Sequence, residues 1–62
     1  MKKTLRERLI DCKNKYIGER NQVIIGIEVC GENKSWEQAF KYNLRKIQLD
    51  AFILELEELI EN

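Results

Sequence analysis

Val23-Ile24-Ile25-Gly26-Ile27-Glu28-Val29-Cys30 is the stretch on which the fold turns. Five of these eight residues are β-branched, the composition of a half-buried strand. As a strand it would set Val23, Ile25, Ile27 and Val29 on a core face, and Ile24, Gly26, Glu28 and Cys30 on a mixed face. On that reading a charge at Ile25 unfolds the protein. A strand needs a neighbour for its backbone groups, and the chain offers no second obvious one. The expected solution is a two-stranded antiparallel ribbon formed with a second copy across a dimer axis. Strand addition to another protein's sheet is an alternative. So is a hidden strand in Ser35–Tyr42, where Trp36, Gln38, Phe40 and Tyr42 alternate, or less favourably in Lys15–Glu19.

Before this stretch, Thr4-Leu5-Arg6-Glu7 has the form of a capping box, so a short helix is expected from Leu5. Leu5, Leu9, Cys12 and Tyr16 share its inner face, with Ile10 and Ile17 beside them. Gly18 is the expected stop, and Glu19–Gln22 a polar linker. After the stretch, Gly31–Lys34 reads as a turn. Ser35-Trp36-Glu37-Gln38 is a second capping box, opening a long amphipathic helix to Glu61.

That helix carries two apolar stripes. Phe40, Leu44, Ile47, Ala51 and Leu54 are expected to face inward, over the strand and the first helix. Leu49, Ile53, Leu56 and Ile60, with Phe52 and Leu59 around them, are then left without a partner in the chain and become the expected interface. Replacing Leu56 and Ile60 together should on this basis give folded monomers. The fold class read from the sequence is α+β: a short N-terminal helix, one strand and a long C-terminal helix, making a single domain over residues 1–62.

Composition narrows the function. Sixty-two residues are near the lower limit for a self-sufficient core, and two cysteines supply no disulfide framework, so a homodimer or a bound partner is expected as support. The net charge is zero but uneven: seven bases against three acids through Arg20, then four against eight. Such a balance disfavours a dedicated nucleic-acid binder held by a broad positive field. Lys2 and Lys3 could open a signal peptide, but Arg6, Glu7, Arg8 and Asp11 break the apolar region one needs. No apolar run is long enough for a membrane span, so a cytoplasmic protein is expected. The abundance of isoleucine, lysine, glutamate and asparagine suggests an AT-rich coding sequence of bacterial or phage type.

Catalysis finds little support. Histidine, the commonest general base, is absent. Glu55, Glu57, Glu58 and Glu61 have the spacing of a solvated helical face. Cys12 and Cys30 lack a metal-binding spacing and read as small buried hydrophobes, so neither metal nor cofactor is expected. The expected role is a non-catalytic regulator or inhibitor, acting as a homodimer and binding another protein through Trp36, Tyr42, Phe52, Leu56, Leu59 and Ile60. The alternative is nucleic-acid contact through Lys2, Lys3, Arg6, Lys13 and Lys15, although Glu7 and Asp11 interrupt that patch and no known nucleic-acid motif accompanies it.

Overall fold

The computed structural model describes residues 2–61 and shows two antiparallel helices, α1 (Leu5–Glu32) and α2 (Trp36–Glu61), joined by a three-residue turn. At about 1.5 Å per residue the helices are about 42 and 39 Å long, and the hairpin measures 47 × 22 × 12 Å. It is one layer deep.

The α+β expectation is therefore corrected. Among the described residues there is no strand: Val23–Cys30 lies within the last three turns of α1, and the expected ribbon across a dimer axis has no strand to build it. Ser35–Tyr42 and Lys15–Glu19 are not strands either. The physical reason is continuity. Leu9, Cys12, Tyr16, Glu19, Val23, Gly26 and Cys30 recur at alternating steps of three and four, and each is at least half-buried. This is the period of a helix packed along one seam, and it passes through the β-branched stretch without a change of phase. Isoleucine and valine lie within about 0.7 kcal/mol per residue of alanine in a helix. A lone strand would leave a whole row of backbone groups without partners, whereas a helix pairs them locally. The second cost is the larger.

Gly18 does not stop α1, and Glu19–Gln22 is helical rather than a linker. Ile25 and Val29 are exposed, so they are not core residues as the strand reading required, while Val23 and Ile27 are half-buried and Cys30 is buried.

The helix ends follow from local chemistry. Thr4 caps α1 through a full capping box: its Oγ1 accepts from the Glu7 amide at 3.2 Å, and its own amide donates to Glu7 Oε1 at 3.4 Å. At the other end the Ser35 amide donates to the Cys30 carbonyl at 2.8 Å and the Lys34 amide to the Gly31 carbonyl at 3.2 Å. These two bonds make a Schellman motif, and Lys34 occupies its left-handed position at φ 58°. The turn is Asn33–Ser35, shorter than the Gly31–Lys34 turn expected. α2 runs from Trp36 to Glu61, the span expected of it, but the reciprocal Ser35–Gln38 side-chain bonds of the expected capping box are not among the hydrogen bonds formed by the described residues. Gln38 turns its side chain to Cys30, with Oε1 4.0 Å from Sγ.

Three contacts fix the register. Cys30 meets Gln38, Gly26 faces Tyr42, and Tyr16 meets Phe52 with ring centroids 5.6 Å apart. Each backward step along α1 equals the forward step along α2, so the helices run side by side without a slip. At Gly26 the approach is close: a Cβ there would lie 3.2 Å from Cε2 and Cζ of Tyr42. The seam of α2 is Ala39, Tyr42, Lys46, Leu49, Ile53, Leu56 and Ile60, again at alternating steps of three and four. Leu49 is 0% exposed and Ile53 5%; with Cys30 they make the whole buried core among the described residues.

The two stripes of α2 thus exchange the places expected of them. Leu49, Ile53, Leu56 and Ile60 face α1. Phe40, Leu44, Ile47, Ala51 and Leu54 face away from it, with Phe40 64% and Ile47 63% exposed.

Candidate functional site

The outward stripe of α2 is the largest apolar feature of the surface. Phe40, Leu44, Ile47, Ala51 and Leu54 are all exposed, and Trp36 extends the row toward the turn. Their steps of four, three, four and three place them along one line of the helix, opposite the line that contacts α1. α1 differs in degree. Its outward line is Glu7, Ile10, Asn14, Gly18, Asn21, Ile25, Glu28 and Glu32, polar for the most part, with Ile25 and the adjacent Val29 its exposed apolar residues. α1 is thus mostly polar away from the seam, while α2 carries an apolar row on each side. α1 covers one of the two apolar rows of α2 and leaves the other exposed.

Of the six residues expected to bind a partner, four are engaged within the hairpin. Tyr42 packs over Gly26, Phe52 tilts against Tyr16, and Leu56 and Ile60 are half-buried toward α1. Trp36 and Leu59 are exposed, but Leu59 lies on the flank of Phe52, one heptad on, and off the outward stripe. Sequence reading missed Phe40, Leu44, Ile47 and Leu54 because they were assigned to the core. The signal that places them outside is the unbroken three-four period of α1, which pairs with the Leu49–Ile53 stripe.

Charge lines the two flanks of the interhelical seam. Arg20 donates to Asp50 at 3.2 Å, Lys46 to Asp50 at 3.0 Å, and Arg45 to Glu19 at 3.2 Å, with Lys13 and Glu57 at 3.9 Å. The hydrogen bond from Lys46, reinforced by Arg20, holds the Asp50 carboxyl below its ordinary value against the opposing effect of desolvation. These pairs are partly solvated and each contributes little to stability. Three of them, from Lys13, Arg20 and Arg45, bridge the two helices. An open groove beside them is lined by Arg20, Ile24, Lys46, Asp50, Ile53, Leu54 and Glu57. Its two cationic groups already bind Asp50; Arg20 Nε alone is buried there without a hydrogen-bond partner.

The basic residues of the nucleic-acid alternative are dispersed. Lys3 pairs with Asp11 and Lys13 with Glu57, while Lys13 and Lys15, two positions apart, point to opposite sides of α1. Lys2 precedes the helix, and Arg6 is exposed in its first turn. Among the described residues no helix is long and apolar enough to cross a membrane, and no group of three or more Cys, Asp or Glu side chains is arranged to hold a metal ion.

Comparison with protein-family models, curated proteins and solved structures finds no match for the chain. The class is set by the fold alone, an antiparallel helical hairpin, and the reading of its surface rests on the chemistry just described.

Proposed function

We propose that this chain is a non-catalytic protein-binding module, a small regulator or inhibitor whose working surface is the outward stripe of α2. The observation that carries this is the contrast between the helices: the outer side of α1 is polar except at Ile25 and Val29, whereas α2 presents the continuous row Phe40, Leu44, Ile47 and Leu54 there. Helical partners are recognised through rows of this kind, where apolar side chains recur at three- and four-residue steps and enter a complementary groove. A cytoplasmic setting suits the two free thiols, Cys12 and Cys30.

The test compares three tagged chains recovered from cells: the unaltered one, Ile47→Lys with Leu54→Lys on the stripe, and Asn14→Lys on the outer side of α1. Bound protein should be lost from the stripe variant, kept by the α1 variant, and retained when salt is raised, because apolar contacts are not screened. Equal recovery by all three would exclude the stripe. Binding that collapses with salt and carries nucleic acid would favour the basic face of α1 instead.

A further inference from the structure

We infer that the occupant of the α2 stripe is a second copy of this chain, docked with its own α2 antiparallel to the first, so that the two α2 helices form the centre of a four-helix assembly and the α1 helices its outside. This rests on the protein-binding reading above and names the partner. Three observations support it.

The first is area. The chain exposes 5164 Å², where a compact monomer of 7.4 kDa would expose roughly 4200 Å². Its radius of gyration is 14.5 Å, against about 10.6 Å for a compact domain of this length. The excess surface, roughly 1000 Å², is close to the ~800 Å² that each partner buries in a standard interface. A hairpin with three buried side chains is short of one such interface.

The second is spacing. Phe40, Leu44, Ile47, Ala51 and Leu54 repeat with the steps of a coiled-coil seam, which suits a straight helix of similar length as its partner. α2 of a second copy is such a helix, and it carries the same unfilled seam. The seam ends where Glu58 and Glu61 take over the same line, so the row from Phe40 to Leu54 covers about four turns.

The third is charge, which selects the direction. Ahead of Leu49, α2 carries Lys41, Arg45 and Lys46 against Glu37; beyond it stand Asp50, Glu55, Glu57, Glu58 and Glu61 with no base. The ion pairs within the hairpin use Lys3, Lys13, Arg20, Arg45 and Lys46, and leave Lys34 and Lys41 at the turn end and Glu55, Glu58 and Glu61 at the other in none of them. Parallel docking would set the two glutamate-rich ends side by side. Antiparallel docking sets each against the lysines of the other copy. Opposite charges flanking an apolar seam are the usual determinant of helix orientation.

The experiment has two arms. Light scattering on a sizing column, over a dilution series of the unaltered chain, should give a mass near twice 7.4 kDa that falls on dilution, and Ile47→Lys with Leu54→Lys should reduce it to the monomer while helical circular dichroism remains. In the second arm a spin label is placed on Glu58→Cys in a chain carrying Cys12→Ser and Cys30→Ala. If that background loses its helical signal, the label is instead placed in a chain carrying Cys12→Ser alone, because Cys30 is buried in the hairpin. About eleven residues from the seam centre, antiparallel copies should hold the two labels roughly 33 Å apart. A separation under about 15 Å would mean parallel docking and overturn the orientation. A monomer at every concentration would overturn the second copy and leave the protein-binding reading standing. A dimer that survives the Ile47 and Leu54 substitutions would overturn both, because the stripe would then not be the contact.

Discussion

Leu49→Ala and Ile47→Ala alter α2 two positions apart, and the structure assigns them opposite consequences. Leu49 has no exposed surface, so its truncation removes buried methyl groups and leaves a cavity between helices that are already held along a narrow seam. Such changes cost about 2–5 kcal/mol. A chain of this length has a stability of roughly 3–9 kcal/mol, so Leu49→Ala should consume at least about a fifth of it and up to all of it, and shift the urea midpoint accordingly. Ile47 is 63% exposed. Full burial of a side chain this size is worth about 1.5–3 kcal/mol, so the hairpin realises only about 0.6–1.1 kcal/mol of it. Alanine's higher helix propensity returns roughly half of that. The assay is urea unfolding followed at 222 nm over a hundredfold range of protein concentration. At the lowest concentration Ile47→Ala should lie within about 1 kcal/mol of the parent, and its cost should grow as concentration rises and the outward stripe is covered. The cost of Leu49→Ala should be large at every concentration. If Leu49→Ala stays within about 1 kcal/mol of the parent while Ile47→Ala is the damaging change throughout, the assignment of inner and outer stripes is wrong.

Glycine substitutions in α1 should separate by position. Gly18→Ala has open space around its new Cβ and should stabilise by about 1 kcal/mol, whereas Gly26→Ala must displace the Tyr42 ring and should gain less or lose, both read from thermal midpoints. Lys34→Gly should stabilise by about 1 kcal/mol in urea titration, because it relieves a left-handed residue within an otherwise satisfied Schellman motif. Asp50 has a folded-state pKa held below its ordinary 3.8, chiefly by the Lys46 hydrogen bond. A depressed carboxylate contributes stability above its unfolded pKa and loses it as pH falls through the folded one. The parent should therefore lose more stability than Asp50→Asn as pH is lowered from about 5 to 2, measured as the difference between their unfolding curves; parallel curves would show that the Lys46 and Arg20 contacts are not formed in solution.

The sequence by itself determined the helix of Trp36–Glu61, the cap at Thr4, and the existence of two apolar stripes on α2, because each is written in local spacing. It did not determine the state of Val23–Cys30. Its β-branched residues carry a strand propensity that one helix turn after another can override, since the competing term is the pairing of the whole backbone and the phase of a seam running from Leu9 to Cys30. Gly18 and Gly31 misled for a related reason: the left-handed position fell on Lys34, and a glycine in a helix is tolerated when neighbours hold the helix together. Which stripe faces inward was also undecidable locally, since Leu49–Ile53 and Ile47–Leu54 are equally regular. Only the meeting of α1 with α2 chose between them, and by burying the Leu49 stripe it left Phe40, Leu44, Ile47 and Leu54 exposed.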